Sequence, residues 1–321
     1  MLKIFLKNGT GQFLILTIAI GLLWAKGFLH PAPLSLENGF SPLYDVLYDW
    51  LMPHPLLTTT IAMVLTIIEG VILCLILYNH KMLTSHTLLP MLFFVLAMGF
   101  QHASTTVTPI LVCSLFILLA LRQLMFGDNQ NLPADRLFNA TLFIGLSTLF
   151  YMPAACLLLP LLIVATIYKL YNWRDWVVIL LGLMAPYILL MTYYYMTDEL
   201  DYMLYLMGND WAELKVEVLP MNTLQWVTNI VLALLILWCI VNSIGNSDAT
   251  TDFRRNNALI MLITIAAFAM MFFDNMLPLN SQLFAIPFAY SATVYFMSIK
   301  RRTWLFSVII VVLFVLGTIP N

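Results

Sequence analysis

The chain has 321 residues, of which 62% are hydrophobic and only 9% are charged, with a mean hydropathy of +0.93. Soluble domains carry about 25% charged residues, so this composition excludes a protein whose whole surface faces water. The apolar residues come in runs of membrane-spanning length rather than in strict alternation, which excludes an outer-membrane barrel. The sequence therefore predicts an all-α, polytopic transmembrane helix bundle, in which every backbone polar group has an internal partner.

The N-terminal segment resembles a signal peptide but ends differently. Lys3 and Lys7 precede the apolar run 13–23, but no small-residue cleavage site follows it. The run ends at Trp24, a residue type common at the membrane interface. We therefore expect an uncleaved first span over 12–29.

The apolar runs predict about ten or eleven spans in a single integral membrane domain over 1–321. The third span contains about thirteen clean apolar residues, a rise of about 20 Å against a hydrocarbon core of about 30 Å. The third and fourth are therefore interpreted either as two spans or as a hairpin that only partly crosses. The predicted spans are 12–29, 58–78, 83–100, 107–124, 137–152, 154–170, 176–196, 225–243, 258–273, 283–299 and 303–319.

The basic residues predict the orientation. With the N-terminus in the cytoplasm, twelve of the fourteen Lys and Arg residues fall on the cytoplasmic side, and only Lys26 and Lys215 fall outside. Lys and Arg concentrate in cytoplasmic loops, so we expect a bacterial inner-membrane protein with this orientation. Two larger segments, 30–57 and 197–224, then lie on the periplasmic side, where nine of the sixteen acidic residues stand.

The first periplasmic segment predicts an amphipathic helix on the membrane surface. Ser41, followed by a proline, is a typical N-cap. At 100° per residue, Asp45 and Asp49 lie opposite the apolar face that holds Trp50. The two aspartates are interpreted either as a solvated polar face or as functional acids, and Glu37 in the preceding Pro-rich turn has the same two interpretations.

Glu69 stands near the middle of the second predicted span. A charged carboxylate at the bilayer centre costs about 2.5–3.5 kcal/mol even on the more lenient scale. We expect Glu69 to be protonated, paired or next to a hydrated cavity. It is either an interhelical hydrogen-bonding group or a proton or ligand site, and Gly70 beside it permits close helix approach.

The cysteines and histidines do not form a metal set. The four cysteines lie in apolar runs without CxxC spacing, and no two of the five histidines share i, i+3 or i, i+4 spacing on one helix. The sequence therefore predicts no metal and specifies no cofactor. The cytoplasmic loops are short and lack a nucleotide-binding glycine motif, and no nucleic-acid partner is expected.

In the stretch 88–200, LFNATLFIGLSTLFYMPAACLLLPLLIVATIY is followed by a basic cytoplasmic turn and then by NWRDWVVILLGLMAPYILLMTYYY. This stretch resembles the transmembrane core of GT-C-type glycosyltransferases, and together with the first outer segment, 30–57, the resemblance covers roughly half of the chain. A large first outer loop with a membrane-surface helix is also a feature of that fold. The residues that occupy the family's packing positions are Gly145, Pro153, Pro160, Arg174 and Pro186.

This resemblance implies sugar transfer from a polyprenyl-phosphate donor at the periplasmic face. The family places an acidic pair or a lone Asp soon after the first span, where this chain offers Glu37. Glu37 is accordingly the first candidate for the general base, followed by Asp45 or Asp49. The candidates for substrate binding are Lys26, Lys215, Asp198 and Glu199.

The chain also resembles an uncharacterised family of bacterial polytopic proteins, through the strings SPLYD, FYMPA, NWRDW and TDEL. Some members carry a β-carotene monooxygenase label. Oxidative carotenoid cleavage needs iron held by several histidines, whereas the histidines of this chain are scattered, so we do not expect that activity.

Two alternatives to a GT-C-like enzyme stay open. One is a non-catalytic scaffold or assembly subunit of envelope biogenesis with a protein partner, whose outer cavity is closed by packing. The other is a transporter or lipid-handling protein built around Glu69, with a hydrated path to mid-membrane and broken helices. The polar string QHASTTVTP at 101–109 is the candidate break.

Overall fold

A computed structural model describes residues 10–31, 34, 41–83, 87–99, 106–125, 133–167, 172–213, 234, 236–237, 241, 251–270 and 281–298. These residues form an all-α structure, and no β-strand occurs among them. The all-α fold expected from the sequence is therefore confirmed for the described part of the chain.

Eleven α-helices and two short 3-10 helices make up the described structure. The 3-10 helices, Met152–Leu157 and Ser281–Phe284, directly precede α7 and α11. The α-helices are α1 (Thr10–Leu29), α2 (Pro42–Leu51), α3 (Pro55–Asn79), α4 (Leu89–Gly99), α5 (Pro109–Leu124), α6 (Ala134–Phe150), α7 (Leu158–Ile167), α8 (Trp173–Met196), α9 (Leu200–Glu213), α10 (Thr251–Met270) and α11 (Ala285–Ser298).

Nine of the eleven predicted spans coincide with helices of this structure, namely α1, α3 to α8, α10 and α11. The other two, 225–243 and 303–319, lie outside the described residues apart from isolated positions in the first. Of the described helices, α3 and α8 are long and apolar enough to cross a membrane, judged by length and composition alone. Shorter apolar helices accompany them at Gly11–Ala25, Leu89–Met98, Pro109–Leu124 and Met152–Ile163.

The short helix α4 lies in the core of the bundle, where it packs against α3 and α11. Leu89, Phe94 and Val95 are completely buried, and the ring of Phe93 meets that of Phe288 edge-on with centroids 6.4 Å apart. Eleven residues rise only about 17 Å, so the shortness expected of the third span is confirmed. Because α4 is enclosed by protein, the hydrophobicity of its sequence is satisfied by neighbouring helices.

Glycines bring α6 and α8 into close contact. A Cβ atom added to Gly145 would lie 2.8 Å from both the backbone oxygen of Leu183 and Cγ of Pro186. One added to Gly182 would lie 2.7 Å from the backbone oxygen of Phe138 and closer still to the Thr141 hydroxyl. Small residues therefore set the approach of these two helices, as is common in membrane bundles.

The segment 197–224, expected to be a periplasmic loop, contains the helix α9. The chain turns from α8 into α9 at Asp198, whose φ of 57° is in the left-handed region that Asp and Asn tolerate better than most residues. Met203 is buried in a cluster with residues of α6 and α8, and Leu206 is buried as well. Helix α9 is thereby held against α8 and α2.

Candidate functional site

The amphipathic helix α2 is fixed to the ends of two long helices. Ser41 occupies the N-cap position, but its hydroxyl makes no capping bond and instead donates to the backbone oxygen of Phe150 at the end of α6, at 2.9 Å. The hydroxyl of Tyr194 on α8 donates to the backbone oxygen of Pro42, at 3.4 Å. These side-chain contacts position α2 where α6 and α8 end and α9 begins.

Asp45 is the functional candidate that this arrangement buries. Only 4% of its surface is exposed, and the hydroxyl of Tyr202 on α9 donates to its Oδ2 at 3.4 Å. Asp49, one turn further along α2, is exposed. The interpretation of the two aspartates as a solvated face is therefore wrong for Asp45, because α9 packs against that side of α2. The exposure of Asp49 agrees with a solvated face, and its role as a functional acid stays a prediction.

The phenols around Asp45 are held in their protonated form. The three largest effects that raise the pKa of Tyr202 are its burial, the negative charge of Asp45, and the hydrogen bond between Tyr202 and Asp45. Burial also raises the pKa of Tyr44, which is completely enclosed, with smaller contributions from Tyr48 and Asp45. A protonated Tyr202 is the donor in its hydrogen bond with Asp45.

The structure places the remaining outer candidates as follows. Asp198 and Glu199 are exposed at the corner between α8 and α9, and Glu199 is close enough to add to the raised pKa of Tyr202. Glu37 and Lys215 lie outside the described residues, as does the side chain of Lys26, which belongs to α1. Of the candidates that the structure describes here, Asp45 is the one shown in a side-chain hydrogen bond, with Tyr202.

Sequence reasoning missed the tyrosines of this site. The string TYYYMTDELDYMLY shows them plainly, but tyrosine is so common at membrane interfaces that its presence alone does not indicate a site. The signal that identifies Tyr202 is its contact with Asp45, which depends on how α9 folds back on α2.

Glu69 forms a second polar centre, deep between α3 and α5. It is completely buried, and the Ser114 hydroxyl lies 3.0 Å from its Oε1. Oε2 has no hydrogen-bond partner among the described residues, and no basic side chain there forms an ion pair with the carboxyl group. The interhelical hydrogen bond expected of Glu69 is therefore present, and Gly70 makes the expected close approach, since an added Cβ would lie 2.9 Å from Cγ of Met91.

The polar string proposed as a helix break is described only at its end. Thr106 and Thr108 are buried there, and the Thr108 hydroxyl accepts from the backbone N–H of Leu111, which caps α5. The same hydroxyl donates to Oε1 of Gln282, at 3.0 Å, in the 3-10 helix before α11. The beginning of α5 is thus tied to α11 by a buried polar contact, and residues 101–105 lie outside the described part.

A cavity of about 30 Å³ lies between α5, α6, α7 and α10 and is lined by apolar residues. None of the acidic candidates lines it. Among the described residues, no group of three or more His, Cys, Asp or Glu is placed to hold a metal ion.

Comparison with known proteins gives no relative: the chain matches no family model, no curated protein and no solved structure.

Proposed function

We propose that the chain is a polytopic inner-membrane protein with a GT-C-like core and a cytoplasmic N-terminus. The lengths and composition of α3 and α8 support a membrane location. The twelve-to-two division of basic residues supports the orientation. In this arrangement α2 and α9 lie at the periplasmic face, with the exposed Trp50 at the level of the lipid headgroups.

At that face the protein transfers a sugar from a polyprenyl-phosphate donor to an acceptor hydroxyl. Asp45 acts as the general base: it takes the hydroxyl proton while the acceptor oxygen bonds to the anomeric carbon. The polyprenyl phosphate leaves with the electron pair of the broken C–O bond. The observation that carries this proposal is the nearly complete burial of Asp45 beside Tyr202, in a first outer segment of the kind that carries acids in the GT-C family.

Tyr202 serves as a positioning residue in this proposal. Its hydrogen bond fixes the direction of the Asp45 carboxylate. Glu37, from the same outer segment, remains the alternative base. Lys26 and Lys215 are the basic residues on that side that would hold the donor phosphate.

A second candidate function is a non-catalytic scaffold in envelope assembly. The observation that favours it is the apolar character of the cavity between α5, α6, α7 and α10, which no acidic side chain lines. A catalytic site for sugars would instead present convergent polar groups. In the scaffold proposal, the buried Asp45 only fixes α9 to α2.

Matched substitutions on one helix separate the two candidates. Asp45→Asn is expected to abolish envelope glycan assembly in a complementation assay, with unchanged protein abundance, whereas Asp49→Asn is expected to leave it normal. Glu37→Gln, tested in parallel, shows whether Asp45 or Glu37 is the general base. Normal glycan in both Asp45→Asn and Glu37→Gln would exclude an essential general-base role for either residue and favour the scaffold.

The membrane orientation has its own test. In a background without the native cysteines, single cysteines replace the exposed residues Asp198 and Arg174. A membrane-impermeant maleimide is expected to label Asp198→Cys in intact cells and Arg174→Cys only after permeabilisation. The opposite pattern would reverse the orientation.

A further inference from the structure

Three basic residues stand at helix ends on the side of the bundle away from Asp45. His80 directly follows α3, Arg136 stands in the first turn of α6, and Arg255 lies near the beginning of α10. All three are partly buried. Burial and then the charges of Arg136 and Arg255 lower the pKa of His80, so the three groups share one electrostatic environment. The two guanidinium groups therefore supply the positive charge of this cluster.

The apolar cavity lies further along α10 from Arg255. Leu259 and Leu262 line it and lie four and seven residues beyond Arg255, which places the three on one side of the helix. Leu124, at the end of α5, contributes to the opposite wall. A positively charged region and an apolar slot thus follow one another along α10 within about two helical turns.

Asn256 supplies an independent sign of a missing polar partner. Its side chain is completely buried, and neither Oδ1 nor Nδ2 has a hydrogen-bond partner among the described residues. Asn256 and the cavity residue Ile263 are seven residues apart and therefore share a face of α10. Buried amides are normally hydrogen-bonded, so an additional polar group is expected next to Asn256.

We propose that this region binds one anionic phospholipid of the cytoplasmic leaflet. The lipid phosphate contacts Arg136 and Arg255, because a guanidinium group can bind a phosphate through two parallel hydrogen bonds. A headgroup oxygen or ester carbonyl of the same lipid reaches Asn256. A short stretch of acyl chain enters the cavity, which at about 30 Å³ is too small for a whole chain. The apolar slot selects a lipid over a free phosphate ion.

The proposal rests on the membrane orientation proposed above, which puts the end of α3 and the beginnings of α6 and α10 on the cytoplasmic side, and not on sugar transfer. The positive-inside rule concerns loops in general. At a single lipid site, in contrast, particular arginines must contribute more to lipid binding than neighbouring arginines do. Arg254 offers the matched comparison, since it adjoins Arg255 and carries the same charge but is exposed.

The test measures lipid binding to the full-length protein by native mass spectrometry. Protein in neutral detergent is titrated with phosphatidylglycerol and, separately, with phosphatidylcholine of the same acyl chains. Wild-type protein is expected to retain one phosphatidylglycerol preferentially. Arg255→Gln and Arg136→Gln should each weaken that binding about tenfold, whereas Arg254→Gln should change it less than about twofold.

A cavity-filling variant tests the apolar half of the site. Ile263→Phe is expected to weaken phosphatidylglycerol binding. In a separate competition with the wild-type protein, inorganic phosphate at millimolar concentration is expected not to displace the lipid. Size-exclusion profiles confirm that each variant is folded, and Arg136→Gln replaces Arg255→Gln if that variant is not.

Three outcomes would overturn the proposal: equal retention of the two lipids, equal weakening by Arg254→Gln and Arg255→Gln, or displacement by inorganic phosphate. Cysteine labelling distinguishes a failure of the proposed membrane orientation from a failure of the lipid site. A reversed labelling pattern contradicts the membrane orientation, while the expected pattern without lipid selectivity removes only this lipid site.

Discussion

The Ser114 hydroxyl stands between two acceptors, 2.7 Å from the backbone oxygen of Leu111 and 3.0 Å from Oε1 of Glu69. A hydroxyl has a single proton to donate. If Ser114 donates it to Leu111, as is common for serine inside a helix, its oxygen can accept a hydrogen bond from a protonated Glu69. This arrangement leaves the buried carboxyl group neutral and joins α3 to α5.

We therefore expect Glu69→Gln to keep the fold, because a neutral amide of the same length can also donate to Ser114. A double-mutant cycle of Glu69→Gln and Ser114→Ala, read from the free energy of unfolding in detergent, should give a coupling of about 0.6 kcal/mol. A coupling indistinguishable from zero would contradict the interhelical hydrogen bond.

The same variant tests the transporter alternative, because glutamine cannot carry a proton. Full biological activity of Glu69→Gln would exclude Glu69 as a proton carrier. Loss of activity with unchanged abundance and stability would favour that alternative.

The close contact of α6 and α8 predicts a strong effect of one added methyl group. Gly182→Ala places Cβ against the Phe138 carbonyl and the Thr141 hydroxyl, so the helices must separate. We expect a loss of about 1–3 kcal/mol in the free energy of unfolding, seen as a lower thermal midpoint in detergent. Gly21→Ala is the control, since nothing lies within 4 Å of an added Cβ there. Equal midpoints for the two variants would contradict the packing of α6 on α8.

His80 predicts a decrease of stability in mild acid. Its pKa in the folded protein is lowered, so the unfolded chain binds this proton more readily. The contribution of neutral His80 to the free energy of unfolding is complete above the pKa of the unfolded chain, about 6.5. It is lost as the pH falls from there through the lower pKa of the folded protein. Thermal midpoints measured from pH 7.5 downwards should fall for the wild type.

His80→Gln is the comparison for this pH dependence, and its midpoints should fall less over the same range. Parallel curves for the two proteins would contradict the lowered pKa. A bound anion near Arg136 and Arg255 favours protonated His80 and should reduce the effect.

Periodicity and length were sufficient to predict most helices but not their surroundings. The helix expected from Ser41 onwards is present as α2, and the shortness of α4 follows directly from its few apolar residues. The sequence pattern placed Asp45 and Asp49 on the same side of α2, opposite Trp50. It could not show that α9 covers the polar face, because that contact joins Asp45 to Tyr202 across 157 positions of the chain.

The basic cluster shows the same limit. Arg136 and Arg255 were predicted to be on one side of the membrane, and in the structure the charges of both lower the pKa of His80. Their convergence depends on the packing of helices that are distant in sequence. In contrast, the contact of Glu69 with another helix could be anticipated, since a buried carboxyl group must find a polar partner wherever the chain supplies one.

The enclosed position of α4 has a consequence for biogenesis. Phe93 of α4 rests against Phe288 of α11, which the ribosome makes almost two hundred residues later. In the membrane protein proposed above, α4 would leave the insertion machinery well before its permanent neighbour exists, and it is too short to cross the lipid core alone. The nascent chain must hold α4 against α3 until α11 arrives, so truncation before α11 should leave an assembly intermediate that membrane proteases recognise.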